Sequence, residues 1–196
     1  MAKELLKRLL RLTAGPYSIY RIFESPQPDG APSPGASPAD LATPPEECLS
    51  ISESDGDDLA NSESELFRSQ AWYGGNEALV FVCRAGPRIV GACIYWYGLR
   101  YQTRNFWPLK AGEVKLVQVV VDPEYRGRGI AASLICTSWA ALRRKGFTRG
   151  YARIWRSNDP SLRAFRKARW REIATVVEMF PLNLGRKVRV VRRRKL

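Results

Sequence analysis

Val119-Val120-Val121-Asp122-Pro123-Glu124-Tyr125-Arg126-Gly127-Arg128-Gly129-Ile130-Ala131 is the stretch on which the reading of this chain turns. An apolar run ends at Asp122-Pro123, the chain turns through Arg-Gly-Arg-Gly, and an amphipathic pattern begins at once. Ala131, Leu134, Ile135, Trp139 and Leu142 recur at helical spacing, which predicts a helix over 129–145 closed by Gly146. Gly127 and Gly129 let the backbone approach a ligand closely. A helix N-terminus collects unpaired N–H groups at the positive end of its dipole. Strand, proline, arginine, paired glycine and helix in this order suit a phosphate or pyrophosphate. No GK[ST] follows, so the turn is not a Walker A loop, and its spacing is not the GxGxxG dinucleotide pattern.

Working outward, the run over 113–121 reads as a strand. Its polar residues Glu113, Lys115 and Gln118 are spaced by two and then three. One extra residue between Lys115 and Gln118 would return them to a common face, as a β-bulge does; a solvated edge strand gives the same pattern. Runs over 78–83 and 89–97 flank Gly86-Pro87 as a hairpin. Residues 101–108 read as an aromatic-rich loop or hairpin. Strands follow over 150–155, 173–180 and 188–191, and Asn158-Asp159-Pro160 opens a second helix running to about 169. The chain is therefore of the α/β (α+β) class, a mixed, mostly antiparallel sheet with flanking helices in a single domain.

Upstream, residues 1–16 hold an amphipathic helix with Leu5, Leu6, Leu9 and Leu12 on one face and Lys3, Lys7 and Arg11 on the other. It suits packing on the domain, or a membrane surface or partner. Residues 17–23 have the composition of a first strand. Residues 25–65 read as a mobile, Pro/Ser-rich acidic insertion, with a helix starting near Asp57 and running towards Ala71. Residues 25–67 carry ten acidic residues and no Lys or Arg, so removing those ten from the net charge of +13 leaves +23 on the remainder. The insertion is a solvated excursion, or it shields the basic body. The body runs to residue 185 and a basic strand and tail occupies 186–196.

Length and composition narrow the classes further. The 196 residues, 45% hydrophobic and 11% aromatic, support one domain with a real core. Histidine is absent, which removes Ser-His-Asp and Cys-His catalysis and histidine-containing metal sites. The four cysteines lie far apart without CxxC, the pattern of reduced core residues, and no metal site is expected. No run approaches the roughly 18–20 apolar residues of a membrane span, and Lys7, Arg8 and Arg11 interrupt any secretion signal. A cytoplasmic protein is expected, with peripheral membrane attachment as the variant.

With these residues in view, the sequence resembles the GNAT superfamily of acetyl-CoA-dependent N-acetyltransferases. Arg126, Gly129 and Ala131 match its Arg/Gln-x-x-Gly-x-Gly/Ala signature, and 157–170 resembles its Asn-x-x-Ser/Ala...Phe/Tyr-x-Lys-x-Gly-Phe/Trp helix. The resemblance implies an N-acetyltransferase domain over 17–185. It places the pyrophosphate of acetyl-CoA, the acyl-donor co-substrate, on Arg126, Gly127, Arg128, Gly129, Ile130 and Ala131. The pantetheine arm would pair with Val119, Val120 and Val121, and Asn158 would hold its amides with Ser161 nearby. Helix capping is an equally good use of Asn158. The family also carries a bulge in the strand before the turn, where a backbone N–H faces the thioester oxygen.

The implied reaction is attack of an amine on the acetyl thioester, which needs a neutral amine. Asp122 and Glu124 flank the phosphate turn, leaving Glu113 as the base, or else as a surface charge paired with a basic neighbour. Gln118 orients substrate or water. Phe165 stands where the family often has an acid tyrosine, and Arg169 where its motif has glycine, which would force a different turn. Tyr125 and Tyr151 suit core packing better than proton donation. Trp72, Tyr73, Trp96, Tyr97, Tyr101, Phe106 and Trp107 suit an acceptor pocket or a core. Seven basic residues over 186–195 suit a solvated tail, an anionic membrane surface or an acidic partner, with nucleic acid the least favoured. A homodimer is compatible with these features. The alternative function is a catalytically silent acyl-CoA-binding or regulatory module that docks through its basic tail.

Overall fold

A computed structural model describes residues 17–27, 49–103, 106–179 and 188–194. Among them, eight strands form one sheet: β1 (Tyr17–Glu24), β2 (Leu49–Ser54), β3 (Ala78–Ala85), β4 (Arg88–Trp96), β5 (Glu113–Val121), β6 (Arg149–Trp155), β7 (Arg171–Met179) and β8 (Val188–Arg193). The order is β2-β3-β4-β5-β6-β1-β7-β8, antiparallel except between β5 and β6. The helices are α1 (Asp57–Ala60), α2 (Glu65–Arg68), α3 (Gly98–Gln102), α4 (Ile130–Arg144) and α5 (Asp159–Lys167). This is the mixed, mostly antiparallel sheet with flanking helices that the sequence predicts.

β1, earliest of these strands in the chain, lies inside the sheet. Tyr20 to Glu24 pair with Trp155 to Tyr151 of β6, and the other side of β1 pairs with β7 from Tyr17↔Met179 to Glu24↔Arg171. Ile22 and Phe23 are accordingly fully buried.

α4 and α5 cover one face. Leu134, Ile135 and Leu142 of α4 are buried with Phe81, Tyr95 and Leu116 of the strands. β6 approaches that layer so closely that a Cβ at Gly150 would lie 2.9 Å from the Trp170 ring. On the opposite face, Leu59 of α1 and Phe67 of α2 are fully buried against Val80, Val82 and Ile94.

Three expectations need correction. The insertion expected over 25–65 is not one excursion, because Leu49–Ser54 is an edge strand on β3 whose Leu49 and Ile51 pack on the core. Its alternating Leu-Ser-Ile-Ser is a period-two signal obscured by acidic surroundings. Acids in it and beyond it are tied to the basic body: Glu53 pairs with Lys145 at 3.0 Å and Asp58 with Arg84 at 2.6 Å. The Arg84 hydrogen bond holds the Asp58 carboxyl below its ordinary pKa.

The helix expected from Asp57 towards Ala71 is divided into α1, α2 and a 3-10 turn over Ala71–Tyr73. Ser62 breaks it, its hydroxyl accepting from the Ser64 amide at 3.3 Å in place of a helical bond. The aromatic stretch from 101 begins inside helix α3, with Tyr101 buried. The predicted helix within 1–16 and the part of the expected insertion over 28–48 lie outside the described residues. Of the basic tail, β8 pairs with β7, and Arg189 and Arg194 form ion pairs with Glu178 and Glu172.

β5 positions the site. Ile94 faces Gln118 and Tyr95 faces Leu116, so Val117 is the extra residue of a bulge, as the polar spacing suggested. Towards β6, pairing runs only from Glu113↔Arg149 to Leu116↔Ala152. Beyond it the two parallel strands part, leaving that side of 117–121 without a strand partner.

Candidate active site

The turn after β5 is built by its own short-range chemistry. The Asp122 carboxylate accepts from the Glu124 amide at 3.0 Å, and Arg88 bridges Asp122 at 2.8 Å and Glu124 at 3.1 Å. Pro123–Tyr125 make one 3-10 turn. Gly127 and Gly129 both have φ of 82°, a left-handed conformation that side chains rarely adopt. No side chain caps α4, and its first turn closes with the Ser133 amide on the Gly129 carbonyl at 3.1 Å. The amides ahead of Ser133 therefore have no helical acceptor and are available to an anion.

A cavity of about 660 Å³ lies against this turn. Its walls include Val119, Val120 and Val121 of β5, then Arg126, Gly127, Gly129, Ile130 and Ala131, then Asn158 and Ser161 from the start of α5. Arg128 is the one predicted coenzyme residue outside its lining. Its guanidinium lies 4.8 Å over the Tyr125 ring and donates to the Glu124 carbonyl at 3.4 Å. Two cations that the sequence reading did not single out, Arg163 and Lys167, line the cavity with Arg126, and among the described residues no carboxylate does. Lys167 Nζ is 3.5 Å from where a Cβ at Gly129 would sit, so a side chain there would fill the cradle. Pro160, Arg163, Ala164 and Lys167 recur at helical spacing, the signal that could have found these cations. The residues fit a diphosphate-bearing coenzyme with an extended arm along β5.

A second cavity, of about 280 Å³, opens where β5 and β6 part. Tyr73, Trp96, Tyr101, Phe106 and Trp155 supply its aromatic walls, and Lys115, Gln118 and Arg153 its long polar side chains. Four of the seven aromatics singled out in the sequence are thus brought together. Tyr97 instead packs on Phe147 at 5.3 Å, Trp72 stacks on Tyr73 at 3.8 Å, and Trp107 faces Tyr151 at 6.0 Å. The Gln118 side-chain amide donates to Gln70 at 2.7 Å, which fixes it in the wall.

The two cavities share Val119, Asn158, Ser161 and Phe165. Asn158 caps α5, its Oδ1 accepting from the Ser161 amide at 3.2 Å, and its NH₂ remains to donate. Phe165 is buried, with its ring 5.2 Å from Trp170 and 5.7 Å from Phe23. It offers no proton.

Glu113 is not brought to either cavity. It is buried at the start of β5, where its Oε2 accepts from the Lys110 amide at 2.8 Å and its Oε1 from the Tyr151 hydroxyl at 3.4 Å. This corrects the expectation that it faces substrate as a base, since the period-two face it shares with Lys115 reaches the cavity only further along β5. Burial pushes Tyr151 up to about 12, which keeps it a phenol donating to that carboxylate.

A parted parallel pair beside a turn of unpaired helix amides can receive an anionic group with an extended arm. Residues 46–169 match the acetyltransferase (GNAT) family, and the chain belongs to that family. The fold is similar to a GCN5-related N-acetyltransferase-like protein from Streptococcus suis 89/1591, with TM-score 0.56 and 13% identity over 89% of this chain and 65% of that one. A GCN5-related N-acetyltransferase from Sphaerobacter thermophilus gives TM-score 0.54 and 17% identity over 99% of this chain and 58% of that one. The ribosomal-protein-S18-alanine N-acetyltransferase from Escherichia coli gives 0.50 and 18% over 65% and 80%. At these identities the likeness is one of fold. No curated protein matches the sequence. Acetyl-CoA is the family's acyl-donor co-substrate. Among the described residues no cluster of His, Cys, Asp or Glu could hold a metal ion, and no helix is long and apolar enough to cross a membrane.

Proposed function

We propose that this protein transfers the acetyl group of acetyl-CoA to a primary amine by direct attack. The observation that carries the reading is the meeting of the two cavities at Val119, Asn158, Ser161 and Phe165, beside the bulged and unpaired part of β5. Acetyl-CoA supplies the activated thioester carbonyl. Arg126, Arg163 and Lys167 with the α4 amides hold its diphosphate, and the free edge of Val119 to Val121 pairs with its arm as an added strand would. Arg128, outside the lining, steadies the turn through Tyr125. The Asn158 NH₂ donates to the arm while its oxygen caps α5, so the two uses read from the sequence coexist. Gln118 orients the amine or a water.

No carboxylate lines the acceptor cavity among the described residues. The acceptor therefore gives its ammonium proton to water entering beside the exposed Trp155, rather than to Glu113. With Phe165 in place of an acid, the departing thiolate is protonated from solvent. Thiol release from acetyl-CoA across a panel of amines tests the reading, with calorimetry of coenzyme A binding alongside. Coenzyme binding with amine-dependent thiol release supports it. Binding without thiol release for any amine would instead establish the silent coenzyme-binding module, whose docking through the basic strand and tail salt-dependent vesicle or partner binding would then reveal.

A further inference from the structure

Lys115 is the outlier of the acceptor cavity. It sits on β5 one residue before the strands part, is only 4% exposed, and its Nζ is buried without a hydrogen-bond partner among the described residues. Buried ammonium groups are ordinarily paired, because an unpaired charge away from water is costly. The carboxylate preceding it on the same face, Glu113, is already occupied by the Lys110 amide and the Tyr151 hydroxyl.

The second long cationic side chain in the lining does not relieve this. Arg153, on the other side of the opening, has its guanidinium 4.2 Å over the Phe106 ring and 4.7 Å over Tyr20, with no carboxylate contact among the described residues. Burial, and after it the Arg153 charge, push Lys115 well below its ordinary pKa. An oxyanion placed between Lys115 and Arg153 would restore the ammonium form and pair both groups, whereas a cationic guest would disfavour it further.

We infer that the acceptor is an amine carrying an oxyanion, a carboxylate or a phosphate, which Lys115 and Arg153 bind while its amine is held towards Gln118 and Val119. This rests on the acetyl-transfer reading and names the substrate class for it. The cavity of about 280 Å³ suits a molecule the size of an amino acid. A polycation meets Arg153 and Lys115 there and, among the described residues, no acid.

The test compares an α-amino acid with an aromatic side chain, its carboxamide, the corresponding aminophosphonate and an aliphatic diamine. Kinetics are followed by thiol release. Binding is followed separately by the fluorescence of Trp96 and Trp155 in the cavity wall, with coenzyme A present. At least one oxyanion-bearing amine should bind and react with KM about tenfold or more below that of the carboxamide, and the diamine should be poorest. Selectivity for the amino acid or for the aminophosphonate assigns carboxylate or phosphate. Lys115→Met, which keeps the length and removes the charge, should collapse the difference in KM between acid and carboxamide while leaving KM for acetyl-CoA unchanged. Arg153→Gln, at an exposed position, should do so in part. Equal binding of acid and carboxamide, preference for the diamine, or a Lys115→Met loss confined to kcat would overturn the inference. If no amine reacts, the acetyl-transfer reading fails, while the fluorescence titration still decides whether the cavity selects an oxyanion.

Discussion

Arg169 occupies a position whose backbone conformation favours glycine. It has φ of 61°, and the Trp170 amide reaches back to the Phe165 carbonyl at 3.0 Å while the Arg169 amide bonds Arg166 at 2.9 Å. This is the Schellman closure that glycine usually serves, so the altered turn expected from the arginine does not arise. The backbone conformation prevails over side-chain preference because Phe165 and Trp170 are locked in the core. Arg169→Gly should relieve the left-handed penalty of about 1 kcal/mol, and the net gain is this less the extra chain entropy of glycine and the side-chain interactions lost. Denaturant unfolding of the two proteins checks it.

Lys115 makes the complementary case. Its pKa lies well below 10.5 in the folded state, so above that folded value and below 10.5 the unfolded chain binds the extra proton. Stability contributed by this site therefore rises with pH and levels off above 10.5. Lys115→Met should be more stable at pH 7 by about 2 kcal/mol, the cost of an unsatisfied buried polar group. The advantage should shrink as pH approaches 10.5, as thermal unfolding across pH would reveal. An advantage that held constant with pH would mean the ammonium is not desolvated. Nothing in the sequence separates this lysine from the other polar residues of its strand. Its burial is decided by where β6 stops following β5.

Among the elements, those bounded by sharp signals were legible. β5 begins and ends where its apolar run does, and α4 lies between Gly129 and Lys145 as its stripe required. The bulge could be read because it shifts polar residues within a single strand. Arg163 and Lys167 could not be placed so directly, since their role depends on α5 leaning on the N-terminus of α4. β2 was hidden because six residues at a sheet edge carry little hydrophobic signal. The pairing of these two helices gives its own prediction. Lys167→Glu, on the last turn of α5, should weaken coenzyme A binding at least about tenfold and flatten its dependence on salt, while unfolding stays near wild type. Calorimetry at two ionic strengths measures this, and unchanged affinity would remove Lys167 from the diphosphate site.

For the whole molecule, the sheet order matters more than any single contact. The family match starts at residue 46, yet β1 lies before it and fills the gap between β6 and β7. A chain beginning at residue 46 would expose two unpaired edges and the apolar faces that Ile22 and Phe23 cover. It should lose cooperative thermal unfolding and self-associate, as calorimetry and light scattering would show. A monomeric, cooperatively melting fragment would mean that β6 and β7 can close on each other.

That same central slat sets a timetable for biosynthesis. The ribosome delivers Tyr17–Glu24 first, but neither flanking rail exists until Arg149–Trp155 and Arg171–Met179 have been translated. Completion of the sheet is thus postponed until Arg171–Met179 has emerged, and the nascent polypeptide must keep a sticky ribbon unmated until then.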